Sequence, residues 1–98
     1  KIKKEDISKT TAHGASFKGL SPQELKSLKI NNGVKISSIT SGKLRNVGIT
    51  NGFIITKIDK LPVTNPEAVA KLLKSKKGGI LVEGIYPNGA KGYFGFGL

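Results

Sequence analysis

Residues 33–73, "GVKISSITSGKLRNVGITNGFIITKIDKLPVTNPEAVAKLL", decide the fold. After Gly33, Val34, Ile36 and Ser38 alternate with Lys35, Ser37 and Ile39, the period-two pattern of a strand. "SGKLRNVGITNG" is turn chemistry around a single helical turn, with Leu44 and Val47 as its apolar pair. "FIITKID" is nearly continuous in apolar character, as a strand buried on both faces would be. Lys60 sits in the turn after it, and "LPV" makes a short edge segment. "TNPEAVAKLLKS" is the best helix of the chain. Thr64 or Asn65 caps it, Pro66 fills its first turn, and Glu67 suits the positive end of its dipole. Val69, Leu72 and Leu73 form its apolar stripe, and Gly78-Gly79 stops it.

The flanks follow the same logic. "KIKKEDISKTTAH" is polar and reads as a linker or N-terminal extension over residues 1–13, with one weak strand at most. In "SPQE", Ser21 is the N-cap, Pro22 takes the first helical position and Glu24 closes a capping box. Leu25 and Leu28 give this short helix an apolar face, and "NNG" at 31–33 ends it. "ILVEGIY", a Pro87-Asn88-Gly89 turn and "KGYFGFGL" make a closing hairpin. The fold expected is α+β, mainly β: a partly open antiparallel barrel or sandwich of five to six strands with two helices, over residues 14–98.

"KGYFGFGL" also invites two functional readings. Lys91, Gly92 and Tyr93 begin like an RNA-binding signature, but Phe94 and Gly95 are then swapped relative to the pattern, and no further helix and strand follow. An anion-cradling glycine loop needs a following element to complete the cradle. The strand reading needs only "ILVEGIY" across the turn.

The net charge is +11, from 17 basic and six acidic residues, and all but Arg45 of the basic ones are lysines. Phosphate and base readers favour arginine, whose planar fork makes bidentate contacts. Scattered lysines describe a solvated surface, or a general attraction for anionic partners, and no specific nucleic-acid site. No Cys is present, the only His is His13 in the polar stretch, and the acids never pair at helical spacing. Neither a catalytic set nor a metal-ligand set emerges, so no catalytic residue, metal or cofactor is expected. No apolar run approaches the ~20 residues of a transmembrane helix.

The central stretch resembles a PDZ domain of the bacterial HtrA/Do-like serine protease type. The match rests on Gly33, Val34, Leu44, Gly48, Ile49, Gly52, Ile54, Ile58, Asp59 and Val63, and the hairpin ending resembles the second, C-terminal PDZ domain of such a protease. The resemblance implies a non-catalytic module of a periplasmic or cell-envelope protease in protein quality control, with the catalytic domain outside the chain. It implies binding of peptide C-termini or unfolded segments by β-augmentation, in contact with other domains or subunits of the parent protease. The alternative is a structural inter-domain or oligomerisation module that takes no free peptide. By the same resemblance, Phe17, Lys18, Gly19 and Leu20 form the carboxylate loop, and Pro66, Ala70, Leu73 and Lys74 line the groove while Val69 and Leu72 face the core. Two departures stand out: Phe53 replaces the usual Asp, and Lys18 replaces the first apolar residue of the loop.

Overall fold

The computed structural model describes residues 11, 12, 14–40 and 42–97. Most of the expected 1–13 extension, His13 included, lies outside them. Among the described residues the strands are β1 (Thr11–Ala12), β2 (Ala15–Gly19), β3 (Val34–Ile39), β4 (Ile54–Ile58), β5 (Leu61–Pro62), β6 (Gly79–Ile85) and β7 (Lys91–Gly97). The helices are α1 (Pro22–Leu28), α2 (Lys43–Asn46) and α3 (Pro66–Ser75). All strand pairings are antiparallel, in one unclosed sheet of order β1-β2-β3-β4-β6-β7 with β5 beside β4. The mainly β fold is as expected. The counts differ because the two-residue strands β1 and β5 exist only through their partners, and the single turn at Leu44 is long enough to count as a helix.

Both main caps form as their chemistry requires. Ser21 Oγ accepts from Glu24 N at 3.1 Å, and Glu24 Oε1 accepts from Ser21 N at 3.0 Å. Asn65 Oδ1 accepts from Glu67 N at 2.7 Å, ahead of Pro66. α1 ends earlier than "NNG" suggests, at Lys29 in the left-handed region (φ 59). Asn32 is then released to tie loops together, its Nδ2 donating to the carbonyls of Thr56 and Val63 at 2.7 and 2.9 Å.

Two irregularities set which side chains reach the core. Ser16 pairs with Ser38 and Phe17 with Ile36, so Ser37 is left over and the alternation of β3 reverses there. Ser38 is therefore exposed and Ile39 packs on the core, the reverse of simple alternation from Val34. In β4, Ile55 pairs with Gly84 and Lys57 with Glu83, leaving Thr56 over. That extra residue lets both Ile55 and Ile58 enter the core.

Phe53 is the largest fully buried side chain. Its ring meets Tyr86 and Phe94 edge-on, with centroids 5.0 and 5.4 Å away, contacts worth about 0.5–1.5 kcal/mol each beyond area burial. Room for it comes from Gly84 and Gly92, directly paired across β6 and β7. A Cβ on Gly84 would lie 2.1 Å from the Ile54 carbonyl oxygen and 2.6 Å from the Phe53 ring, and one on Gly92 would lie 2.9 Å from that ring.

The β4–β5 turn is held by charge. Asp59 and Lys60 both have positive φ (51 and 69), as the two central residues of a tight hairpin turn require. Asp59 Oδ2 meets Lys76 Nζ at 2.8 Å just past α3, and Asp59 Oδ1 accepts from Leu81 N at 2.9 Å.

Two outcomes follow from this packing. Gly84→Ala should destabilise the fold by at least about 2 kcal/mol in denaturant titration, because backbone as well as ring must give way. The second concerns acid. The Lys76 hydrogen bond, then the Leu81 N–H, hold the Asp59 carboxyl below its ordinary value of 3.8. A depressed folded-state value means the clamp contributes fully above pH 3.8 and is lost as pH falls through that lower value. Thermal unfolding followed from about pH 5 to about pH 2 should show a shallower acid loss in Asp59→Asn than in the wild type.

Candidate functional site

The candidate site is the outer edge of β2 where it runs beside α3. Ile36 N donates to the Phe53 carbonyl at 2.9 Å, and the Ile36 carbonyl accepts from Gly52 N at 2.8 Å. Ile36 thus turns its peptide groups toward β4, and alternation turns those of Lys35 toward its β2 partner Lys18. Phe17 and Gly19, on either side of Lys18, turn their N–H and C=O groups the other way, to the outer edge of β2. β1 covers that edge only in part, pairing Thr11 with Ser16 and Ala12 with Ala15. From Phe17 to Gly19 no strand pairs with it among the described residues.

α3 forms the other wall, packing on β1, β2 and β3. Val69, Ala70 and Leu73 are fully buried, and Leu72 is only half-buried. Of the pair expected to face the core, Val69 is fully buried and Leu72 packs on the core from a half-buried position. Of the residues expected at the groove, Ala70 and Leu73 are buried and can offer it only a floor. The helix is rotated so that the stripe of Val69, Ala70 and Leu73, at spacings of one and three, meets the sheet. Phe17 is likewise a core residue at 3% exposure. Leu20 and Pro66 are half-buried, and Lys18, Gly19 and Lys74 are exposed.

The stretch Phe17–Leu20 is also not a loop. Phe17 to Gly19 are in the ladder with Ile36, Lys35 and Val34, and Leu20 leads directly into the Ser21 cap. Anchoring Phe17 in the core leaves the next two residues no freedom to leave the sheet. What this stretch presents outward is therefore a strand edge and the Lys18 side chain. Lys18 faces the like charge of Lys35 across the strands. Lys35 Nζ is taken up by Glu24 Oε2 at 3.3 Å. Hydrogen bonds from the Ser21 backbone first, then from Lys35, lower the Glu24 pKa. Lys18 has no ion-pair partner among the described residues.

Gly19 closes the site at the start of α3. A Cβ there would meet only Pro66 Cδ, at 3.9 Å, an ordinary contact. Sequence reasoning placed Gly19 and Pro66 at the site. A weak strand in the N-terminal stretch and a pairing strand edge were expected; which peptide units of β2 face outward was not, since that carries no side-chain signal.

The family model described as PDZ-like domain matches residues 9–77. No curated protein matches the chain. Among solved structures, the chain is similar to the HtrA-type protease AlgW in several forms. One substituted form with a decapeptide superposes with a TM-score of 0.73 at 21% identity, over 86% of this chain and 27% of that one. AlgW with a tripeptide gives 0.68 at 22% identity, over 84% and 29%. AlgW with a decapeptide gives 0.64 at 22% identity, over 84% and 26%. The chain spans less than a third of the length of these proteins, and at these identities the likeness speaks for the fold.

Because its added Cβ clashes with nothing and its φ is not positive, Gly19→Ala should leave stability within about 0.5 kcal/mol of wild type, read by thermal or urea unfolding.

Proposed function

The chain belongs to the PDZ-like domain family, and from that premise we propose that it is a peptide-binding module whose ligand adds as a strand to β2. The observation that carries this reading is the edge from Phe17 to Gly19, which faces outward beside α3 and is unpaired among the described residues, with β1 at one end. An extended segment entering there exchanges hydrogen bonds with the Phe17 and Gly19 peptide units. Phe17, Ala70 and Leu73 form the buried floor beneath it, with Leu20 and Pro66 at one end. Lys18 supplies positive charge at the end beside Pro66, which suits a free carboxylate there, and Lys74 stands at the far end of α3. The solved AlgW structures with a decapeptide and a tripeptide support the choice of ligand class.

We place the module, on the same resemblance, as the second PDZ domain of an HtrA-like protease of the cell envelope, over residues 14–98, with the extension before it as linker. There it senses chain ends or unfolded segments and regulates or assembles a protease whose catalytic domain lies outside this chain. One observation favours a competing reading, in which the domain only packs against a neighbour: Lys18 stands where the family has an apolar residue.

Fluorescence anisotropy with a library of free C-terminal decapeptides separates the two. The peptide reading expects binders tighter than about 1 mM, with Gly19→Val weakening them about tenfold by filling the space before Pro66. A library with no binder at that level overturns it.

A further inference from the structure

Among the described residues the opposite rim of the sheet is a second unpaired edge, and its geometry is more regular than that of the first. β7 pairs with β6 over seven consecutive residue pairs, from Ile85–Lys91 to Gly79–Gly97, without a register shift. Asp59 N donates to the Leu81 carbonyl at 2.8 Å, so Leu81 turns its peptide groups to β4. At the turn, Tyr86 N donates to the Ala90 carbonyl at 2.7 Å, which puts the hydrogen-bonded β6–β7 pairs at the alternate positions. Both observations agree that Gly92, Phe94 and Phe96 bond inward to β6. Lys91, Tyr93, Gly95 and Gly97 therefore turn their N–H and C=O groups outward, where no strand pairs with them among the described residues. Edge strands are ordinarily guarded by a proline, a bulge or a cluster of charges. β7 has no proline, no bulge and one lysine. It also carries Tyr93, 62% exposed.

We propose that β7 is a second docking edge, which takes an extended acidic segment of a partner polypeptide by strand addition. Charge selects the occupant. The chain carries +11. Exposed Lys91 stands at one end of the edge, and exposed Lys77 lies two residues before Gly79 at the other. The only acid on the two strands, Glu83, sits in register between Lys57 and Tyr93. A second copy of the chain would bring its own +11 to the same edge, which disfavours self-pairing. The side-chain row sets the ligand pattern. Gly95 and Gly97 leave the sheet surface bare, so large side chains belong opposite them, as when an aromatic covers a cross-strand glycine. An acid belongs opposite Lys91. For an antiparallel ligand this gives large-x-large-x-Thr-x-Glu.

The test is an amide NMR titration of the 98-residue chain with the end-blocked peptide Val-Ser-Tyr-Ser-Thr-Ser-Glu, which has no terminal carboxylate. The Tyr93, Gly95 and Gly97 amides should shift saturably, while those of Phe17 and Gly19 stay in place. Gly95→Pro should weaken binding at least about tenfold, because it removes an outward N–H where an added Cβ meets nothing within 4 Å. Unchanged β4 signals would show that the variant keeps its fold. Lys91→Glu should weaken this peptide and favour the same peptide ending in Lys. Shifts confined to β2 and α3, no shifts at all, or equal binding of the Glu- and Lys-ended peptides would each overturn the proposal. So would β7 shifts that grow with protein concentration alone, since the edge would then belong to a second copy. Failure here leaves the β2 reading standing, because the two edges report through different amides.

Discussion

Everything in this domain is arranged around one ring in one notch. Phe53 enters the core just before β4, and the only way to seat it is to remove the side chains at two facing positions on the next two strands. Gly84 and Gly92 do this, and their cost in backbone freedom is offset by the edge-on contacts of Phe53 with Tyr86 and Phe94. The β6–β7 hairpin is thereby fixed against β4 at the point where β4 meets β3. Phe53, Tyr86 and Phe94 thus make one aromatic cluster at this junction.

Once that hairpin is fixed, the two rims of the sheet acquire opposite characters. Toward β2, bulges at Ser37 and Thr56 twist the strands and deliver Ile39, Ile55 and Ile58 to the core under α3. The outer edge on that side is short, partly covered and backed by a helix. Toward β7 the ladder runs without interruption, and the outer edge is long and unpaired among the described residues.

The parts of this structure that were legible in the sequence are those whose causes are local. Ser21–Glu24 and Asn65–Pro66 announce helix starts because the capping partners lie within three residues. The Asp59–Lys60 turn and the closing hairpin were visible for the same reason. The bulges were not, since the leftover residue in each is chosen by the partner strand. Alternation from Val34 put Ser38 inward, and the structure puts it out. The depth of each residue on α3 was less legible, because Leu72 and Leu73 are adjacent and equally apolar, while the buried neighbour beside them, Ala70, is too small to weigh in a hydrophobic pattern. At the site, side chains drew attention to Lys18 and Gly19 as a loop. Phe17 as a core anchor makes them a strand, and the groups that matter there belong to the backbone.

The outward peptide units of β2 bear on time as well as space. Along Phe17–Gly19, the described residues leave two of them unpaired, each with one donor and one acceptor. At about 0.5–1.5 kcal/mol net per hydrogen bond, the backbone there contributes about 2–6 kcal/mol to any strand that adds. With association at ordinary protein rates, a complex held at that level lasts less than about a second. Backbone pairing over two peptide units gives a strand that comes and goes, and anything longer-lived must draw on the side chains around it.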